Sequence, residues 1–363
     1  MSDKPVLILV HGMGKHPPGA FAKEFTAAIH ETLHQVDGYE STDINTLVDI
    51  QEFNYDGFFD EIRKKMKNQA KPVAERLGAI NQLAGLSWGP GLVLKLSSFE
   101  ANYGKDKFFY THCLDVIFYA TLLGAKVRVD AARKIAQIVR DNAPEKKIHV
   151  LAHSLGTAVA HDTLSQLYRG DFVANDDIPD LDLVTHRLKS VWMVANVSRL
   201  VNSVTDISDP YKSTVRPGPD GCTDYLRNVH HELDPFTLIK SFHPKNDGSW
   251  VPRDHFDFAY SDIETSAVTD INTHDFSEYI KNPKVALPLL RTVCRIVPSR
   301  ANSDDIYEKA AGRSIAGAYQ ALKDAYSNIQ LTDTDSLQAF LEAAKAVNEF
   351  RDRFQGELSS LGH

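Results

Sequence analysis

Two short stretches carry residue types that could perform acyl transfer. The first is Ala152-His153-Ser154-Leu155-Gly156, which follows the run Ile148-His149-Val150-Leu151 without a break. A serine placed on a sharp strand-to-helix turn is lifted off the sheet edge by a strained backbone and presented as a nucleophile. The residues two before and two after it must be small, because larger side chains would collide with the neighbouring strand and helix. Ala152 and Gly156 meet that need. The small-x-Ser-x-Gly spacing alone is a weak signal, and its setting between a strand and an amphipathic helix gives it weight. The second stretch is His11-Gly12-Met13-Gly14, directly after Val6-Leu7-Ile8-Leu9-Val10. Acyl transfer builds negative charge on a carbonyl oxygen, and two backbone N–H groups aimed at it lower the barrier. Leu155 would supply one N–H and Met13 the other, with Gly12 and Gly14 as supporting loop residues. His11 is expected to brace this loop, and His153 to pack beside the serine.

These residues need a frame. Val6–Val10 reads as a buried parallel strand. His16-Pro17-Pro18-Gly19 breaks the chain, and Phe21, Phe25, Ala28, Ile29 and Leu33 then recur at helical spacing. A second strand is expected over residues 47–55, which completes a βαβ unit. Further on, a helix is expected over 126–140, a strand over 148–152 and a helix over 155–167. Strands follow at 190–197, 225–231 and 267–271, and a closing helix at 283–297. Strands alternating with helices predict a parallel sheet covered on both faces. Residues 56–112 exceed what a crossover requires. They include an apolar run over 83–96 broken by Gly85, Gly89, Pro90 and Gly91. This segment reads as an insertion over the sheet, either a lid or a packed excursion.

Residues 301–363 differ in character from residues 1–300, which are expected to form the main domain. Two helices are expected near 304–327 and 334–358. Leu337, Phe340, Leu341, Ala344, Val347, Phe350, Phe354 and Leu358 form one stripe, with Thr334 or Asp335 as N-cap. The appendage is expected to pack on the core, with a homodimer contact as the alternative.

Composition narrows the function classes. With 43% hydrophobic and 24% charged residues the chain is an ordinary globular protein. Its 40 Lys+Arg against 48 Asp+Glu leave a net charge of −8, so a nucleic-acid partner is not expected. Cys113, Cys222 and Cys294 are the three cysteines. They form neither a disulfide framework nor a zinc-binding pair, which favours a reducing, cytoplasmic setting. Residues 1–4 lead straight into the first strand without a signal-peptide pattern, although export by a route without a cleaved signal stays open. No window approaches about 18 uninterrupted apolar residues, so no membrane span is expected.

With the serine turn and the His-Gly-Met-Gly loop in this order and context, the chain resembles the α/β-hydrolase superfamily. The resemblance is to its serine esterases and lipases in particular, over residues 5–297. It implies an α/β-hydrolase fold of about six mostly parallel strands flanked by helices. Two departures stand out. Ala152 takes a place that is glycine in the standard turn. The oxyanion loop follows the first strand here, so the two leading antiparallel strands of the full fold are not expected in this sheet.

The superfamily's chain order is nucleophile, acid, histidine. Asn228-Val229-His230-His231-Glu232-Leu233-Asp234-Pro235 resembles the acid loop of bacterial esterases and points to Asp234. Asp206 and Asp209 compete, and Glu232 more weakly. His274, followed by Tyr279 and Asn282-Pro283, resembles the position of the base, with His243 and His255 as rivals. An imidazole titrating near neutrality suits proton shuttling. His230 and His231 are neighbours on a strand and point to opposite faces, so no metal site is expected there, and no cofactor. The implied activity is hydrolysis of a small-molecule or lipid carboxylic ester through an acyl-enzyme on Ser154. Phospholipase, thioesterase or acyltransferase chemistry on the same site is the nearest alternative, and a non-catalytic binding module with this fold is the other.

Overall fold

The computed structural model describes residues 4–12, 16–57, 119, 124–172, 177–205, 209–234, 236–237, 240–269, 272–315 and 317–327. The chain starts with β1 (Val6–Val10), whose five aliphatic residues are all buried. α1 (Ala20–Leu33) follows. Phe21, Phe25, Ala28, Ile29 and Leu33, the stripe expected from the spacing, are its buried apolar positions. β2 (Asp49–Phe53) completes the first βαβ unit. α2 (Gly124–Asn142) buries Val127, Ala131, Ile135, Ile138 and Val139 along one side. β3 (Ile148–His153) runs directly into α3 (Leu155–Arg169), with Ser154 between them. Then come β4 (Leu188–Val194), α4 (Ser198–Thr205), β5 (Thr223–His231), α5 (Arg253–Ala259) and β6 (Tyr260–Thr265). The described chain closes with α6 (Phe276–Lys281), α7 (Pro283–Cys294), α8 (Arg300–Ala311) and α9 (Ala318–Ser327).

The six strands form one sheet in the order β2-β1-β3-β4-β5-β6, and every neighbouring pair is parallel. This is the α/β-hydrolase fold. Apolar side chains cover both faces. Ile8, Val150, Val191 and Leu226 join α2 and α3 on one side. Leu7, Leu9, Leu151, Trp192 and Val229 join α1, α6 and α7 on the other. Such two-sided burial explains why the central strands read as unbroken apolar runs. The strand order reverses between β1 and β3, and ligands of open parallel sheets bind at the carboxyl ends of strands flanking such a point. Val10 pairs with Ala152 there, which brings His11 and Gly12 beside Ser154.

The last strand differs from expectation. It spans Tyr260–Thr265, ahead of the expected residues 267–271. β6 is an edge strand whose interior positions, Ser261-Asp262-Ile263-Glu264, are half-buried or exposed, so its sequence lacks the apolar run that marks a central strand. The helix expected near 304–327 is two helices, separated around Gly317, whose φ of 78° is a left-handed conformation. α8 and α9 pack against the sheet domain. Ile306 is buried in the core, Asn302 Nδ2 donates to Gln35 O (2.8 Å), and Ile315 N donates to Val268 O (2.9 Å). Nearly all of the expected insertion at 56–112 and the whole helix at 334–358 lie outside the described residues. No helix among the described residues is long and apolar enough to cross a membrane.

Candidate active site

The turn between β3 and α3 places Ser154 at φ 53°, ψ −127°, a backbone conformation that side-chain-bearing residues rarely adopt. Strain of this kind costs on the order of 1–3 kcal/mol and persists only where the surroundings fix it. Here Ser154 N donates to Val194 O (3.0 Å), which extends the ladder one residue past β3. Ser154 O accepts from Thr157 N (2.8 Å) and Thr157 Oγ1 (2.6 Å). Two glycines make room. A Cβ on Gly156 would sit 2.2 Å from His11 O and 2.5 Å from Val10 O. A Cβ on Gly12 would sit 2.8 Å from Ser154 Cβ. Leu155 opens α3, and its N–H is one of the helix-start donors without a partner inside the helix.

Ser154 Oγ lies 2.8 Å from His274 Nε2. His274 Nδ1 lies 2.8 Å from Asp234 Oδ2. Asp234 follows β5 and His274 precedes α6, so side chains from three separate loops meet at the carboxyl ends of the strands. Asp234 is fully buried and accepts further hydrogen bonds from Tyr279 OH (2.7 Å, Oδ2) and Phe236 N (3.0 Å, Oδ1). Burial pushes its carboxyl toward the neutral form, but His274, Tyr279 and the Phe236 amide outweigh burial and hold it below the ordinary aspartate value. An ionised Asp234 requires the proton on His274 Nδ1. That leaves Nε2 with a lone pair facing the serine hydroxyl.

The neighbouring groups hold this arrangement. His153 Nε2 donates to His274 O (3.0 Å), so the strand carrying the serine grips the loop carrying the histidine. The Phe236 ring packs on the His274 ring with centroids 4.5 Å apart. Tyr279 OH also accepts from His231 N (2.8 Å), tying α6 to the end of β5. His11 Nδ1 donates to Gly12 O (2.8 Å), its Nε2 accepts from Tyr55 N (3.2 Å), and its ring stacks on Tyr55. Burial, with His16 nearby, pulls the His11 imidazole down to about 3, so it stays neutral.

The rival residues lie elsewhere. Asp209 pairs with Lys212, and Glu232 accepts from Tyr319 OH on α9. His255 pairs with Asp254, and His243 with Asp262. Met13, Gly14, Pro235 and Asp206 lie outside the described residues. The support that Tyr279 and Phe236 give to Asp234 and His274 was not read from the sequence. The available signals were an aromatic in the first turns of α6 and an apolar residue two places past the aspartate.

Residues 124–204 match a family described as "Alpha/beta hydrolase of unknown function (DUF900)". The matched segment runs from α2 through β3, Ser154 and α3 to α4, and stops short of Asp234 and His274. No curated protein and no solved structure matches the chain. A parallel six-stranded sheet, together with a family match that spans its strand–serine–helix turn, gives the chain the fold of an α/β hydrolase.

Proposed function

We propose that the protein is a serine hydrolase that cleaves carboxylic esters through an acyl-enzyme on Ser154. One observation carries the reading: the hydrogen-bonded series from Ser154 Oγ to His274 Nε2 and from His274 Nδ1 to Asp234. In the first half-reaction Ser154 Oγ bonds to the ester carbonyl carbon as its proton passes to His274 Nε2. Leu155 N–H, with Met13 N–H as the second donor, stabilises the oxyanion. The C–O bond to the alcohol breaks, and the alkoxide leaves with the proton from Nε2. Water then gives a proton to Nε2 and attacks the acyl carbon, and collapse returns the serine hydroxyl and a carboxylic acid. Asp234 stays ionised throughout and stabilises the imidazolium.

Esters are the substrate class because the resemblance is to serine esterases and lipases. The apolar run at 83–96 favours a hydrophobic acyl group. Residues 1–300 would form the catalytic domain and 301–363 an appendage docked on it. The test is a panel of p-nitrophenyl esters of increasing acyl length, run on wild type, Ser154→Ala, Asp234→Asn and His274→Ala. Turnover by wild type with a loss of about 1,000-fold or more in each variant is expected. Equal turnover by wild type and Ser154→Ala would overturn the assignment.

A further inference from the structure

β5 and β6 form one edge of the sheet, and their register sets Asn228 beside Asp262 and His230 beside Glu264. Positions two apart on a strand share a face, so all four residues lie on one side. His243, from the segment that follows Asp234, joins them. Its Nδ1 is 3.1 Å from Asp262 Oδ2, and its ring stands edge-on to that of His230. One ligand atom each from His230, His243 and Asp262 lies within 4.8 Å of the others. His230 Nδ1, which is buried, is 3.2 Å from Asp262 Oδ1. Ligands of one tetrahedral zinc ion, each about 2.0–2.1 Å from it, stand about 3.4 Å apart, close to the 3.1 and 3.2 Å that separate the Asp262 carboxylate from the two imidazoles.

The surrounding groups match those of a metal centre. Glu264 Oε2 is 3.4 Å from His230 Nε2, the far ring nitrogen. A carboxylate there keeps the proton on Nε2 and leaves Nδ1 free as a ligand. Asn228 Nδ2 donates to Asp262 Oδ1 (2.8 Å) and to Phe242 O (3.2 Å), fixing the carboxylate and the approach of His243. The His243 and Asp262 side chains are 55% and 32% exposed, which gives an ion a path from solvent. Two imidazoles and a carboxylate suit zinc, whereas calcium and magnesium prefer all-oxygen sites.

We propose that His230, His243 and Asp262 bind a single zinc ion, with water as the fourth ligand and Glu264 as the partner that orients His230. The ion would tie together both ends of the segment 230–243, which carries Asp234, and fasten them to the edge strand. This inference stands apart from the catalytic reading. The sequence did not show it because the three ligands come from two strands and a loop and form no spaced motif.

The test uses full-length protein stripped with dipicolinate and titrated with zinc chloride by calorimetry, alongside His243→Ala, Asp262→Asn and the control His255→Ala. Circular dichroism checks that each variant is folded, and the exposure of His243 makes its substitution the least disruptive. One zinc per chain is expected for wild type and the control. Affinity should fall about 100-fold or more in His243→Ala and Asp262→Asn, at least matching the cost of losing an outer partner of a metal ligand. The proposal is overturned if wild type binds no stoichiometric zinc, or if the two variants bind it as tightly as wild type.

Discussion

Removing one hydroxyl, with Tyr279→Phe, tests how the candidate site is held. That oxygen donates to Asp234 Oδ2 at 2.7 Å and accepts from His231 N at 2.8 Å, and the surroundings are buried. A hydrogen bond to an ionised acceptor contributes about 1.5–3 kcal/mol, and a buried N–H left without a partner costs about 1–3 kcal/mol. Allowing for partial relaxation, the variant should lose about 3 kcal/mol of stability. Asp234 would keep His274 and the Phe236 amide as partners, so its carboxyl should remain ionised at neutral pH but titrate at higher pH than in wild type. A depressed folded-state value contributes stability above the ordinary carboxylate range, and that stability is lost as pH falls through the folded value. Losing one donor moves this loss to higher pH. A looser Asp234 also orients His274 less well, and a barrier increase of about 1.4 kcal/mol lowers kcat about tenfold. The assays are urea unfolding at two pH values and the pH profile of kcat/KM on an activated ester. An unchanged urea midpoint with an unmoved acid limb would refute the structural role given to this hydroxyl.

Gly156→Ala should be among the most damaging single-methyl changes in the chain, because the new Cβ would meet main-chain oxygens of β1 and His11 at 2.5 and 2.2 Å. A loss of about 3 kcal/mol or more, read by urea unfolding, is expected, and a midpoint within experimental error of wild type would contradict it. Two buried histidines should make the protein acid-sensitive. Burial, with smaller contributions from Lys147 and Lys189, pulls His149 to about 3, and burial together with His16 does the same for His11. Their unfolded forms protonate below about 6.5, so stability should fall as pH drops from about 6.5 toward 3. His149→Gln should flatten that decline in urea midpoints, and an identical slope in the variant would count against it.

Much of the frame is legible in the sequence because buried parallel strands are apolar throughout and surface helices carry one apolar stripe. β1, β3 and β4 each show such a run, and Phe21 to Leu33 show the stripe. The turn at Ser154 is legible because its steric demands fall on residues two places away on either side. Asp234 and His274 were readable only through a resemblance, since nothing local requires one aspartate or histidine over another. The structure brings both to Ser154 through the parallel alignment of β3, β4, β5 and β6, which local sequence does not encode. β6 escaped notice because an edge strand can be polar on both faces. The contacts of Tyr279 and Phe236 with Asp234 and His274 escaped because they depend on how α6 and the segment after β5 pack together. The same reason hides the cluster of His230, His243 and Asp262.

The nucleophilic role of Ser154 is tested most directly by treating the intact protein with a fluorophosphonate and mapping the modified peptide by mass spectrometry. Wild type should gain one phosphonyl group, located on Ser154, and Ser154→Ala should gain none. A wild-type protein that stays unmodified, or that carries the group on a different residue, would contradict the proposed acyl-enzyme chemistry.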